Sequence, residues 1–219
     1  MKYFTKDWCR EMQVLNFLAF PETKEEWEKI IEHSKADGRD YQKICKQELA
    51  AHKSDLLKFL PEPFHPYIYD ETLGSEYPTP ELKRMAEQWR KEYLKRIDAV
   101  AGEYHKYYNS IKKTLPENAV RLHDNSLHDA GVLSFATPSR DTFEIILDCR
   151  GGFYYFTDIK LTFVGVKELS VPDQLSGTYW LYHEIYATKE GFELHVLFNH
   201  PLTEFTIVAE NVFIDEFTE

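Results

Sequence analysis

The sequence predicts an α+β protein in which a helical N-terminal region precedes an antiparallel β-sheet domain, built as a sandwich or a partly open barrel. Two observations predict it. Apolar residues recur every three or four positions up to about residue 115, and they alternate with polar residues after it. The helical segments all come first and the strand segments follow, which is the order of an α+β protein rather than of an alternating α/β one. We place the boundary after residue 118, which gives a helical domain over 1–118 and a β domain over 119–219.

The first helices carry start and stop signals. Thr23 and Glu26 have the spacing of a capping box, in which each side chain accepts a backbone N–H of the first turn. Asp37-Gly38 predicts the end of that helix. A second helix is expected over residues 39–60, because Pro61 cannot continue it.

A long helix is expected after a proline-rich segment. Residues 61–80 hold five prolines among aromatic residues, which predicts a loop packed by its own side chains. Pro80 is suited to the first helical turn, and the helix is expected to run to about Leu115 with a break or bend near Gly102. Its apolar stripe, expected to lie in the core, consists of Met85, Trp89, Tyr93, Ile97, Val100, Tyr104 and Tyr108.

Strands are expected from residue 132 onward, separated by glycine and proline turns. The expected segments are 132–136, 142–149, 159–163, 178–187, 191–199 and 203–214. A turn at residues 188–191 would join two of them into a hairpin. Its expected pairs are Ala187 with Phe192, Ile185 with Leu194, His183 with Val196 and Leu181 with Phe198.

That register places an aromatic set on the other face of the hairpin, where Glu184 lies opposite His195 as a cross-strand pair. The face is expected to be the more exposed one. Its aromatic residues, Trp180, Tyr182 and Tyr186, form either a binding surface or a layer that packs under the helices. His183, on the apolar face, is expected to be a hydrogen-bonded core residue.

The charge is unevenly distributed. Residues 121–219 carry 6 Lys and Arg against 16 Asp and Glu, a balance of −10 out of the −11 of the whole chain. Such a surface repels phosphates, so we expect no nucleic-acid partner, whereas a basic protein partner would be attracted. The three cysteines have no paired spacing, and we expect free thiols in a cytoplasmic protein. No apolar leader or membrane-length run is present, so we expect neither a signal peptide nor a membrane partner.

One motif stands out: residues 121–131 read RLHDNSLHDAG and contain Leu-His-Asp twice. His123, His128 and Asp129 are candidate metal ligands, but residues five apart on a strand face opposite sides. Only a turn at Asn125-Ser126 would bring the two histidines together. The alternative is structural, a polar turn that leads into the first strand, and no bound metal is expected.

Motifs for known chemistries are absent from the sequence. It lacks a metalloprotease HExxH, a GxSxG elbow, a GxGxxG loop and a P-loop, and Cys149 belongs to an alternating apolar strand. An enzyme is therefore not the favoured interpretation, and no cofactor is expected. The alternative is a metal-dependent hydrolase near residues 123–129, in which catalytic candidates are His128 and Asp129 together with Glu184 and His195.

Three short segments resemble the domain of unknown function 4085 family. They are the opening MKYFTKDW with Met12-Gln13, Leu127-His128-Asp129, and LTFVGV at residues 161–166. The resemblance implies a bacterial cytosolic protein with no established activity and no catalytic residues to transfer. The β half is also similar in style to small immunity proteins that neutralise toxins. The favoured function is a non-enzymatic protein-binding module.

Overall fold

The computed structural model describes residues 1–217. Its helices are α1 (Lys6–Phe17), α2 (Lys24–Ala36), α3 (Tyr41–Phe59), α4 (His65–Tyr69), α5 (Pro80–Ile111) and α6 (Glu117–Asp124), with 3-10 turns at Glu62–Phe64 and Lys112–Thr114. Its strands are β1 (Gly131–Ser139), β2 (Thr142–Asp148), β3 (Asp158–Val164), β4 (Glu168–Ser170), β5 (Tyr179–Thr188), β6 (Gly191–Asn199), β7 (Thr203–Ala209) and β8 (Asn211–Glu216). The predicted α+β class is confirmed. Within residues 1–217, no helix is long and apolar enough to cross a membrane.

The chain forms two compact units. One consists of Asp7–Asp98, and the other combines Met1–Lys6 with Ala99–Glu219. The opening residues and the last part of α5 therefore belong with the sheet. The predicted domain boundary at residue 118 concerns independent folding and stays a prediction.

The helical unit follows the start and stop signals of the sequence. Thr23 and Glu26 form the expected capping box at the start of α2, and Asp37 caps its end. Pro61 follows α3 as expected. The segment predicted as a loop over 61–80 is more ordered than expected, because it contains a 3-10 turn and the short α4.

The helix α5 is continuous, so of the two alternatives expected near Gly102 the break was wrong, and the bend stays a prediction. Gly102 lacks the positive φ that ends helices, and its intrahelical hydrogen bonds outweigh the modest helix penalty of glycine. Four members of the predicted stripe lie in the core, since Trp89, Tyr93, Tyr104 and Tyr108 are buried, whereas Met85, Ile97 and Val100 are half-buried.

The eight strands within residues 1–217 belong to one antiparallel sheet, in the order β4-β7-β6-β5-β1-β2-β3-β8. The sheet is open, since its edge strands β4 and β8 do not pair with each other. It nevertheless curls over itself. Phe143 of β2 packs against Phe205 of β7, with ring centroids 5.4 Å apart, and Phe163 of β3 lies 6.3 Å from Phe192 of β6. The core of this unit fills the space between the two halves.

The expected strand over 203–214 is two strands. Glu210 separates β7 from β8, and its backbone N–H donates to the carbonyl of Val164 at the end of β3. The chain therefore leaves one half of the sheet and joins the other at this corner. A single strand was the wrong prediction because apolar alternation continues across the corner.

The β5–β6 hairpin has the predicted register near its turn. Ala187 pairs with Phe192 and Ile185 with Leu194, as expected. The pair of Leu181 with Phe198 was wrong, because a bulge between Trp180 and Tyr182 shifts the register and Trp180 pairs with Phe198 instead. A bulge reverses the facing of every residue beyond it, so Trp180 enters the core.

Candidate functional site

The double Leu-His-Asp segment is half helix and half turn. The helix α6 continues past the expected end of the helical region and includes His123 and Asp124. The chain then turns at Asn125-Ser126, and the Ser126 hydroxyl accepts the backbone N–H of His128 at 3.3 Å. The turn that the sequence allowed is therefore present, and the two histidines line the same cavity.

This cavity has a volume of about 390 Å³ and lies entirely in the sheet-containing unit. Apolar and aromatic atoms form most of its surface, as in small-molecule sites in general, but half of its lining residues are polar: His105, His123, Asp124, Ser126, His128 and His183. The principal lining residues are Phe4, Tyr104, His105, His123, His128 and Tyr182.

A relay of hydrogen bonds orients His123. The indole N–H of Trp180 donates to Nδ1 of His183 at 3.1 Å, and Nε2 of His183 lies 3.0 Å from Nδ1 of His123. Because an indole can only donate, Nδ1 of His183 is an acceptor and the proton of this neutral ring is on Nε2. His183 then donates to Nδ1 of His123, whose own proton must be on Nε2.

Both imidazoles are held neutral. Burial lowers the pKa of His123 to about 4, and the opposing effect of the nearby Asp124 carboxylate is smaller. Burial, together with the neighbouring His123, lowers the pKa of His183 to about 3. His183 is hydrogen-bonded as expected, but it is half-buried and lines the cavity, so its expected place in the core was wrong.

Asp124 is fixed at the rim of the cavity. It accepts the Tyr108 hydroxyl at 2.8 Å and the Lys112 ammonium at 2.7 Å. Burial alone would raise the pKa of Asp124, but these hydrogen bonds outweigh it and lower the pKa. The Tyr108 ring also lies against His123, with centroids 3.8 Å apart, so the same tyrosine holds both the His and the Asp of the first Leu-His-Asp.

Glu184 is completely buried, so its expected exposure was wrong. Its two carboxylate oxygens accept the backbone N–H groups of Lys2, Tyr3 and Phe4 at 2.7, 2.8 and 2.6 Å, and it also accepts the hydroxyl of Tyr186. Three successive amides around a carboxylate form an anion-binding nest. Residues 2–4, the opening segment, therefore cover the face of β5 that the strand pattern predicts to be exposed.

The backbone pairing of Glu184 with His195 is as predicted, but their side chains have other partners. Nε2 of His195 lies 2.7 Å from Glu193 of its own strand, and its ring contacts Tyr186 at 5.3 Å. Tyr186 also packs on Tyr107 of α5, with centroids 5.4 Å apart.

The three aromatic residues proposed for binding thus have different environments. Trp180 is buried, Tyr186 is half-buried against α5, and Tyr182 lines the cavity between Phe4 and His128. The expectation of one exposed aromatic face was wrong for Trp180, because the bulge turns it inward. Tyr182 is the member of the set that meets the predicted histidines.

His128 and Asp129 lie at the entry to β1. Nδ1 of His128 is 3.0 Å from a carboxylate oxygen of Asp129, but the two atoms do not align as a hydrogen bond. Asp129 has a positive φ of 67° and points its backbone N–H at the carbonyl of Trp180, 2.8 Å away. Among residues 1–217, no three His, Cys, Asp or Glu side chains are grouped so as to hold a metal ion.

The second copy of the motif also supports an exposed aromatic loop. This loop, residues 150–157, joins β2 to β3 and presents Phe153, Tyr154 and Phe156 at 69%, 51% and 76% exposure. Its fourth aromatic residue, Tyr155, is buried and accepts a hydrogen bond from the amide of Asn125 at 3.0 Å. The Phe153 ring reaches the His128 ring at 5.8 Å.

Sequence reasoning missed this aromatic loop and the nest around Glu184. The loop did carry a signal, since four consecutive aromatic residues follow Gly151-Gly152 and do not alternate with polar residues as in a strand. No sequence signal indicated the nest around Glu184, because its donors are backbone N–H groups some 180 residues away along the chain.

The fold and the site define an α+β protein with a histidine-lined cavity beside an exposed aromatic loop. The chain belongs to the family of proteins of unknown function DUF4085, whose model matches residues 3–209. The resemblance carried by the opening residues, Leu127-His128-Asp129 and residues 161–166 is confirmed. The chain matches no curated protein.

Proposed function

We propose that this protein is a non-enzymatic binding protein and that residues 150–157, the aromatic loop, contact a basic protein partner. The observation that carries the proposal is the exposure of Phe153, Tyr154 and Phe156 on one short loop. Contact of exposed aromatic side chains with water is unfavourable, and these side chains add nothing to the core. Aromatic residues are enriched where proteins bind each other.

The loop is held in shape from inside. Tyr155 is buried beneath it, the N–H of Gly152 donates to the carbonyl of Cys149 at 2.9 Å, and the Thr157 hydroxyl donates to the carbonyl of Phe217 at 2.7 Å. A side chain at Gly152 would place a Cβ 3.1 Å from the Cys149 carbonyl oxygen, so glycine suits this tight turn. A preformed loop loses little conformational entropy on binding.

Charge favours a basic partner. Arg150 lies between Asp148 and Asp158, at 2.8 and 3.5 Å, so the cation of the loop is already neutralised. The region from residue 121 onward has a balance of −10. Such a surface steers positively charged proteins towards the aromatic contacts, and the attraction weakens with salt.

The metal-dependent hydrolase gains no support from the geometry. His123 and His128 do line one cavity, but Nδ1 of His123 is occupied by His183 and Asp129 lies outside the cavity lining. Zinc sites need three or four converging ligands. Elemental analysis of untagged protein tests this alternative directly.

The test is a quantitative capture experiment on extracts of the source organism. The bait proteins are the wild type, F153S/F156S and the control Y69S, which removes an equally exposed aromatic ring from the helical unit. We expect a basic protein that wild type and Y69S recover equally and that F153S/F156S recovers at least about tenfold less, since buried aromatic anchors dominate such interfaces. The same recovery by all three baits would refute the proposal.

A further inference from the structure

We propose that the cavity beside His123 binds a neutral, planar molecule that carries a carbonyl oxygen. The cavity has a volume of about 390 Å³, within the range of roughly 300–1,000 Å³ that is usual for small-molecule sites. The inference concerns a different surface from the aromatic loop and does not depend on the proposed protein partner.

The specific hydrogen-bond donor is the Nε2–H of His123. Its tautomer follows from the relay that starts at Trp180 and passes through His183. Within residues 1–217, no group forms a hydrogen bond with Nε2 of His123. This atom is not fully buried, so a molecule in the cavity can reach it. Because His123 lines the cavity, this donor is available to an occupant, and an acceptor oxygen matches it.

The charges of the site select a neutral ligand. His123 stays uncharged because burial lowers its pKa, so it offers no cation to an anionic group. Lys112 at the rim offers no free cation to an anionic group either, because its ammonium is paired with the carboxylate of Asp124. Lys112 already pairs with that carboxylate at 2.7 Å, so Asp124 is also a poor site for a ligand cation.

The walls favour a flat body. Phe4 lies 5.1 Å from Tyr104 edge to face and 5.8 Å from Tyr182, and Tyr182 in turn lies 5.4 Å from His128. Aromatic faces and edges arranged around one space contact a planar ring well. Phe4 is held in this wall by Glu184, so the opening segment completes the site.

The test compares three probes of nearly equal shape. Acetophenone has a carbonyl group, α-methylstyrene has a methylene group in place of the carbonyl oxygen, and benzoate has a carboxylate in place of the acetyl group. Saturation-transfer NMR titrations give their affinities for the wild type, H123F and H195F. His195 is a matched control, since it is half-buried in the same unit but does not line the cavity. A second readout in the wild type is the Nε2–H resonance of His123.

We expect the wild type and H195F to bind acetophenone more tightly than benzoate. Loss of one hydrogen bond in H123F should reduce the preference for acetophenone over α-methylstyrene by roughly fivefold. Acetophenone should also shift the His123 Nε2–H resonance, which keeps the test valid if H123F folds poorly. No acetophenone binding, an unchanged preference in H123F, tighter benzoate binding, or binding that leaves the His123 resonance in place would each overturn the proposal.

Discussion

Replacement of Glu184 by glutamine tests whether this carboxylate anchors the opening segment to the sheet. The substitution conserves volume, so it creates no cavity. One oxygen of Glu184 accepts the N–H groups of Tyr3 and Phe4, and the other accepts the N–H of Lys2 and the Tyr186 hydroxyl. In E184Q an amide NH₂ takes the place of one of these oxygens.

The expected cost follows from those contacts. With the NH₂ in the second position, the Lys2 N–H faces another donor, and an unsatisfied buried donor costs about 1–3 kcal/mol. The two remaining bonds lose their charge assistance, which makes them roughly half as strong. We therefore expect the free energy of unfolding to fall by on the order of 3 kcal/mol. The Tyr186 hydroxyl can rotate and accept from the new amide, so its contact adds little.

The assay is urea unfolding followed by circular dichroism, with hydrogen exchange to localise the effect. The control is E190Q, a change at the exposed tip of the β5–β6 turn, which should alter stability by no more than about 0.5 kcal/mol. In E184Q the amides of Tyr3 and Phe4 should exchange much faster than in the wild type. Equal stability of E184Q and E190Q, with these two amides still protected, would refute the anchoring role.

Three further predictions concern pH, thiol reactivity and a turn. The pKa values of His123 and His183 are lowered from about 6.5 in the folded state, so their contribution is full above pH 6.5 and is lost as pH falls towards 4. Each should add a slope of about 1.2 kcal/mol per pH unit to the free energy of unfolding measured between pH 6 and 5, and the slope should disappear in H123Q/H183Q. Burial raises the pKa of Cys149 to about 12, so a thiol reagent should label it only after unfolding, and labelling of the native protein at the unfolded rate would contradict this. G191A should lower the melting temperature by several degrees, because Gly191 has φ 147° and a Cβ there would lie 2.2 Å from the Ala209 carbonyl oxygen; an unchanged melting temperature would contradict it.

Local sequence signals predicted the elements whose causes are local. The capping box at Thr23 and the strand alternation of β2 and β3 depend on neighbouring residues, and both are present in the structure. The hairpin register followed in the same way, because one face of β5 and β6 is apolar near the turn.

The errors arose where distant parts of the chain decide the outcome. The bulge that turns Trp180 inward is stabilised by its contact with Phe198 and its bond to His183, neither of which a strand pattern reveals. The strand pattern predicted that Glu184 is exposed, because the residues that cover it, Lys2 to Phe4, are some 180 positions away in the sequence. The helix α6 was missed because its eight residues are too few for a clear period.

The candidate site was predicted in part for the same reason. His123 and His128 were identified as residues that a turn would bring together, and both line the cavity. Their partners could not be predicted, since His183 and Tyr182 come from β5, more than fifty residues further along the chain. Whether any of these residues binds a ligand remains a prediction.

The central claim is that hydrogen bonds, and not a metal ion, fix the histidines of residues 122–129. Its most direct test is the histidine ¹⁵N–¹H spectrum with and without one equivalent of zinc. The hydrogen-bond relay predicts that His123 and His183 are both neutral Nε2–H tautomers at pH 7, and that zinc changes neither. A Nδ1–H tautomer at His183, or zinc-induced shifts of His123 and His128 together, would contradict the account.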